Sequence, residues 1–83
     1  MEEIDLKRVS ALLEEKIILI GGNIYNLRKK HGINQQDLAY YIGADRCTIS
    51  ELERGCKSNV TVYTLIKIAD AFKIDVDDLF KTD

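Results

Sequence analysis

The chain has 83 residues, of which 46% are hydrophobic and 31% are charged, and its formal net charge is −2. This length allows one domain, and the composition is that of a globular protein, which excludes a disordered or fibrous chain. The longest unbroken apolar run, residues 17–20, is far shorter than the roughly 20 residues needed to span a bilayer. The N-terminus is acidic where a secretory signal is basic, so we expect a cytoplasmic protein without membrane contact.

The composition offers little for metal, disulfide or catalytic chemistry. Cys47 and Cys56 are the only cysteines and His31 is the only histidine, without the paired spacing of a zinc site. A thiol switch between the cysteines is disfavoured, because about three helical turns would hold them beyond disulfide reach. No Ser-His-Asp, Cys-His or paired-carboxylate arrangement accompanies His31. We therefore expect no metal, no cofactor and no enzymatic activity.

Charge is distributed unevenly along the chain. Residues 21–60 carry six Lys/Arg against four Asp/Glu, whereas residues 1–20 and 61–83 each carry three Lys/Arg against five Asp/Glu. A basic centre between acidic flanks is typical of a site for an anionic partner. Chance segregation in a small protein explains the same pattern, so charge alone does not decide between these interpretations.

Apolar residues recur at helical spacing along most of the chain, which predicts an all-α protein. A separate N-terminal helix, predicted within residues 1–20 and not counted among the helices numbered here, has one apolar side formed by Leu6, Val9, Leu13, Ile17 and Ile20. The next three helices end at Gly32, Gly43 and Gly55, because glycine readily takes the left-handed conformation that ends a helix.

Residues that favour the first position of a helix lie where this division into helices requires them. Asn34, with Asp37 three positions later, is expected to begin one helix, and Asp45 is expected to begin the next. Thr61 then caps a fourth helix with an apolar stripe of Val62, Leu65, Ile68, Ala69 and Phe72. Asp75 caps a short fifth helix that carries Val76, Leu79 and Phe80.

Residues 35–54 have the layout of a helix-turn-helix. Ala39 supplies the small residue that close packing of the two helices requires, and Gly43 supplies the turn. The predicted inward positions of the pair are Leu38, Ile42, Ile49 and Leu52. The predicted outward positions of the second helix are Arg46, Cys47, Ser50, Glu51 and Arg54.

These residues, in this register, resemble the phage-repressor-like (XRE) family of helix-turn-helix DNA-binding proteins. The resemblance rests on Leu27-Arg28, Gly32-Ile33-Asn34-Gln35, Leu38-Ala39, Gly43, Ile49-Ser50 and Glu53-Arg54-Gly55, and it continues through residues 65–72 and 78–80. It implies a five-helix lambda-repressor-like DNA-binding domain over residues 21–83. Residues 1–20 match nothing specific and are expected to form an extra N-terminal helix. The proline that is common in the family near Val60 is absent.

The resemblance also implies a DNA-binding surface. The expected contact residues are Asn34, Gln35, Tyr40, Asp45, Arg46, Cys47, Thr48, Ser50, Glu51 and Lys57. Arginine at position 46 can bind guanine through two hydrogen bonds, and the carboxylate of Glu51 can accept from cytosine. The amide of Gln35 can reach a phosphate. Helix capping is an alternative role for Asn34 and Thr48.

Two further sets of residues have structural roles in the prediction. The resemblance implies that Arg28 and Glu53 form an ion pair between the first helix of the domain and the recognition helix. The apolar residues of both chain ends exceed what so small a core needs, so we expect a homodimer interface formed by Val76, Leu79 and Phe80. The N-terminal helix is expected to assist it.

The sequence thus predicts a sequence-specific transcriptional regulator of the repressor type. It would act as a homodimer on a two-fold symmetric operator, inserting helix 46–54 into the major groove of double-stranded DNA. The alternative is an antitoxin-type protein-interaction module with a protein partner and secondary DNA binding. The apolar residues 4–20 and the acidic chain ends leave room for such a partner.

Overall fold

A computed structural model describes residues 2–57 and 59–82. It contains four α-helices, α1 (Leu6–His31), α2 (Gln35–Ile42), α3 (Arg46–Glu53) and α4 (Val62–Ala71), followed by a 3-10 helix (Val76–Phe80). These residues include no strand, so the all-α prediction is confirmed for the described part of the chain. Within the same residues, no helix has both the length and the apolar character needed to cross a membrane.

The N-terminal region departs from the prediction. We expected an extra helix up to residue 20 and a separate helix ending at Gly32, but α1 runs through Gly21 and Gly22 as one 26-residue helix. Gly21 packs directly against the end of α3, and the helix continues through both glycines although each interior glycine costs roughly 1 kcal/mol relative to alanine. The expected fifth α-helix is the short 3-10 helix. The predicted helix count is therefore wrong, although the order of the elements is right.

The predicted caps of the central helices are present. The side chain of Asn34 accepts a hydrogen bond from the amide of Asp37 at 2.8 Å, and Asp45 accepts one from the amide of Thr48 at 2.8 Å. Gly43 ends α2 with φ 72°, a left-handed conformation that is costly for residues with a side chain. These local preferences make the turn between α2 and α3 short and sharp.

Every element contributes to a single core. All the predicted inward residues of the helix-turn-helix lie in it, and its buried members are Ile20, Ile24, Leu38, Ala39, Ile42, Ile49, Leu52, Leu65, Ile68, Ala69, Phe72 and Leu79. Val62 does not belong to the buried stripe of α4, because it lies in the first turn and is 66% exposed.

The prediction that Leu79 forms a dimer interface is wrong. Its side chain has no exposed surface within the chain, so it belongs to the core and cannot contact a second molecule in this conformation. The side-chain amide of Asn23 donates to the carbonyl oxygen of Leu79 at 2.7 Å, which holds the 3-10 helix against α1. Of the other two predicted interface residues, Val76 is half-buried against the core and Phe80 is exposed.

The absence of a side chain at Gly21 sets how closely α1 approaches α3. A Cβ atom at this position would overlap the carbonyl oxygen of Leu52 and would lie 3.2 Å from that of Glu53. Both oxygens belong to the rigid backbone at the C-terminal end of α3. Gly21 is therefore required where the two helices meet, whereas Gly22 faces open space.

A buried ion pair joins the same two helices. The guanidinium of Arg28 donates to the carboxylate of Glu53 through two hydrogen bonds, Nε to Oε2 at 2.7 Å and Nη2 to Oε1 at 2.9 Å. Its Nη1 also donates to the carbonyl oxygen of Ile33 at 3.0 Å. The bonds to Glu53 raise the pKa of Arg28 although burial acts in the opposite direction, so the guanidinium stays charged.

We expect Gly21→Ala to lower the free energy of unfolding by roughly 1–3 kcal/mol, because the methyl group overpacks the contact between α1 and the end of α3. The matched control is Gly22→Ala, which should raise stability by about 0.5–1 kcal/mol because alanine is the better helix former. Urea denaturation monitored by circular dichroism measures both changes. Equal effects of the two substitutions would contradict the close approach.

Replacing Glu53 by alanine should destabilise the fold by roughly 3 kcal/mol or more, because it leaves the buried Arg28 charge without its partner. The half-buried Glu51 lies on the same helix without an ion pair among the described residues, so Glu51→Ala should cost about 0.5 kcal/mol. Thermal unfolding of the two variants compares them directly. Similar melting temperatures of the two variants would show that loss of the Arg28–Glu53 ion pair does not cause the expected destabilisation.

Candidate DNA interface

The first turns of α2 and α3 lie side by side and form a shallow polar depression. Its lining brings together three of the residues predicted to contact DNA, Asn34, Gln35 and Arg46, with Arg28 at its base and Gln36 beside them. Backbone amides at the start of α2 point out of the helix, and such a terminus attracts anions. This depression and the outward side of α3 are called the candidate interface below.

Gln35 connects the candidate interface to the buried ion pair. Its side-chain nitrogen donates to Glu53 Oε1 at 3.1 Å, and the same carboxylate accepts from Arg28. The start of α2 is therefore held at a fixed position relative to α3. An amide nitrogen carries two N–H groups, so the single bond to Glu53 leaves a second donor for a phosphate oxygen.

Asp45 and Thr48 are occupied in capping α3. One carboxylate oxygen of Asp45 accepts from both the amide and the hydroxyl of Thr48, at 2.8 and 2.9 Å. These bonds lower the pKa of Asp45 from its ordinary value, and the positive charge of Lys57 acts in the same direction. The structure thus favours the capping role for Thr48.

The outward side of α3 offers a mixed set of side chains. Arg46 and Cys47 at its start are exposed, and Ser50 and Glu51 one turn later are half-buried. After the helix, Arg54 is exposed, and its Nε donates to the carbonyl oxygen of Ser50 at 3.3 Å. An exposed arginine can make two parallel hydrogen bonds to one base edge, whereas Glu51 can only accept.

Exposure favours Tyr40 over its neighbour as a DNA contact but does not exclude either. Tyr40 is 88% exposed and Tyr41 is 57% exposed, so both hydroxyl groups are accessible. Cys47 and Cys56 are both free and exposed. Cys47 lies on the candidate interface, and Cys56 lies beyond the end of α3.

Sequence reasoning missed Gln36. It is exposed and lines the depression together with Asn34 and Arg46. Gln36 could have been predicted from its position in the first turn of α2, because side chains there surround backbone amides that have no partner within the helix. The hydrogen bond from Gln35 to Glu53 was also not predicted, because it depends on how α2 packs against α3.

Comparison with known proteins places this arrangement in a family. A helix-turn-helix family model matches residues 24–79. An uncharacterised HTH-type transcriptional regulator of Archaeoglobus fulgidus is 40% identical over 57 residues, which cover 69% of this chain and 80% of that protein.

Solved structures agree with this assignment. The restriction-modification controller protein C.AhdI of Aeromonas hydrophila has 33% identity and a TM-score of 0.73, covering 77% of this chain and 96% of that one. The P22 c2 repressor, solved in complex with a synthetic operator, has 30% identity and a TM-score of 0.70, covering 77% and 96%. The chain therefore belongs to the helix-turn-helix family of phage-repressor-like (XRE-type) transcriptional regulators.

Proposed function

We propose that this protein is a sequence-specific DNA-binding regulator that acts as a homodimer on a two-fold symmetric operator. In this proposal α3 enters the major groove, and the start of α2 rests on a phosphate of the same half-site. The supporting observation is the depression between α2 and α3, where Asn34, Gln35 and Arg46 meet at a helix N-terminus. The similar P22 c2 repressor, solved with an operator, supports DNA as the ligand.

The proposal assigns different tasks to the residues of the candidate interface. Arg46 and Glu51 read base edges, Arg46 as a donor to guanine and Glu51 as an acceptor from cytosine. Cys47 and Ser50, which are small, allow the helix to approach the bases closely. Contacts to the phosphates come from Asn34, Gln35, Tyr40 and Lys57, while Asp45 and Thr48 cap the start of α3.

Dimerisation follows from the specificity that an operator requires. A single short helix contacts too few bases for useful discrimination, and two copies read half-sites about 34 Å apart. The exposed Phe80, beside the half-buried Val76, is the part of the predicted interface that remains available. We therefore propose that Phe80 contributes to the contact between the two copies.

Selection of bound sequences from a random duplex pool tests the function as a whole. The full chain should enrich a two-fold symmetric site whose half-sites are separated by one helical turn of DNA. Enrichment of no common site would contradict sequence-specific binding, and an asymmetric site would contradict the homodimer.

Arg46→Ala should relax the base preference at one position in each half-site, with a loss of about 1–3 kcal/mol of discrimination there. The fold should be unaffected, because Arg46 is exposed at the start of α3. Lys81→Ala removes the same charge outside the candidate interface and should leave every base preference unchanged. Repeating the selection with both variants measures this, and an unaltered preference for Arg46→Ala would remove it from the base-reading residues.

Phe80→Asp should weaken self-association and operator binding together, while non-specific DNA binding should fall less. Phe80 is 43% exposed, so the charge can be accommodated in the monomer but not in an apolar contact between copies. Tyr41→Asp introduces the same charge at an exposed aromatic residue of α2 and should leave self-association unchanged. Sedimentation equilibrium checks both variants. A Phe80→Asp protein that dimerises normally would show that Phe80 lies outside the interface.

A further inference from the structure

One oxygen of the Asp45 carboxylate is left over after α3 is capped. Oδ1 accepts both bonds from Thr48, from the amide at 2.8 Å and from the hydroxyl at 2.9 Å. Oδ2 accepts no hydrogen bond from any described residue, and the ion pairs among these residues do not include Asp45. Because Asp45 is exposed, Oδ2 is accessible to a ligand.

The two bonds to Oδ1 hold the carboxylate in one orientation, because rotating it would break or bend both of them. Asp45 is the residue directly before Arg46, where α3 begins. Oδ2 therefore has a fixed position at the start of the recognition helix. This is the end of the helix whose side chains contact base edges in helix-turn-helix complexes.

The Asp45 carboxylate can only accept hydrogen bonds. The bonds from the amide and the hydroxyl of Thr48 lower its pKa from the ordinary value, so it carries no proton at neutral pH. The next side chain has the opposite property, because the exposed guanidinium of Arg46 can only donate. The start of α3 thus presents an acceptor and a donor on consecutive residues.

An acceptor without a donor matches cytosine better than any other base. On the major-groove edge, guanine presents two acceptors, and thymine presents an acceptor and a methyl group. Adenine presents an amino group next to the acceptor N7, which repels a carboxylate. Cytosine is the one base that presents a donor, its N4 amino group, and no acceptor.

We propose that Asp45 is a specificity-determining residue, whose Oδ2 accepts a hydrogen bond from N4 of one cytosine in each half-site. This inference deepens the proposed function and rests on it. Consecutive Cα atoms are about 3.8 Å apart and successive base pairs about 3.4 Å, so the cytosine belongs to a base pair next to the one that Arg46 reads. Asp45 then has two tasks, since Oδ1 caps α3 and Oδ2 reads the base.

Asp45→Asn changes the reading group and keeps the cap. Asparagine caps a helix as well as aspartate does, through its side-chain oxygen. With that oxygen held by Thr48, the NH2 group takes the place of Oδ2, and an acceptor becomes a donor. In selection from a random duplex pool, the variant should favour a base with an acceptor at one position of each half-site. The preference for cytosine over guanine there should fall roughly tenfold or more.

Asp45→Ser separates capping from reading. Serine also caps a helix, but its single oxygen leaves no second group to meet a base. The preference at the same position should therefore disappear without changing to another base. Both Asp45 variants lose a negative charge near the phosphates, so their binding to an unrelated duplex at low salt should not weaken. Circular dichroism verifies that both remain helical.

The matched control is Asp5→Asn. Asp5 caps α1 in the same way, because its Oδ1 accepts from the amides of Lys7 and Arg8 at 3.1 and 3.2 Å. It lies outside the candidate interface, at the start of a different helix. Asp5→Asn should therefore leave every base preference unchanged.

The outcomes separate this inference from the proposed function. Unchanged preferences in both Asp45 variants, or a wild-type preference for a base other than cytosine at the position they alter, would overturn the inference. If Arg46→Ala still relaxes its own position in that case, the proposed function stands and Asp45 only caps α3. If the wild-type chain enriches no common site, both fail.

Discussion

The bidentate ion pair between Arg28 and Glu53 is the interaction on which the rest of the structure depends. It links α1 to α3 across the core, and the hydrogen bond from Gln35 to the same carboxylate adds the start of α2. Three helices thus meet at one buried anion. Removing one partner of such a pair is strongly destabilising, whereas replacing both partners by well-packed apolar residues often costs no stability. The main effect of the pair is therefore to fix the relative positions of the helices that it joins. In this protein the pair holds the starts of α2 and α3, which form the candidate interface, in fixed positions.

The same helix, α1, serves two regions of the molecule. Its C-terminal half holds α3 through the ion pair and through the close approach at Gly21, where a side chain would meet the backbone of Leu52. Its N-terminal half continues without interruption into the exposed residues 6–16. Because the helix is continuous, residues 6–16 have a fixed direction relative to the recognition helix.

Local signals in the sequence were sufficient for most of the fold. The caps at Asn34, Asp45 and Thr61 and the left-handed turn at Gly43 depend on a few adjacent residues, and all four were predicted. The continuity of α1 was missed, because the paired glycines at 21 and 22 resemble a helix end and only the packing of Gly21 against α3 shows why a glycine stands inside the helix. Leu79 was misassigned for a related reason. Apolar residues look alike in sequence whether they fill a core or an interface.

The candidate interface was predictable as a surface but not in its details. The family resemblance identified the face of α3, whereas the bonds that commit Gln35 to Glu53 and Thr48 to Asp45 depend on tertiary packing. Amide chemical-shift changes on titration with duplex DNA test the central claim most directly. The account predicts that the largest changes lie at residues 34–36 and 46–51. Changes concentrated in residues 6–16 or around Phe80, with α3 unaffected, would contradict it.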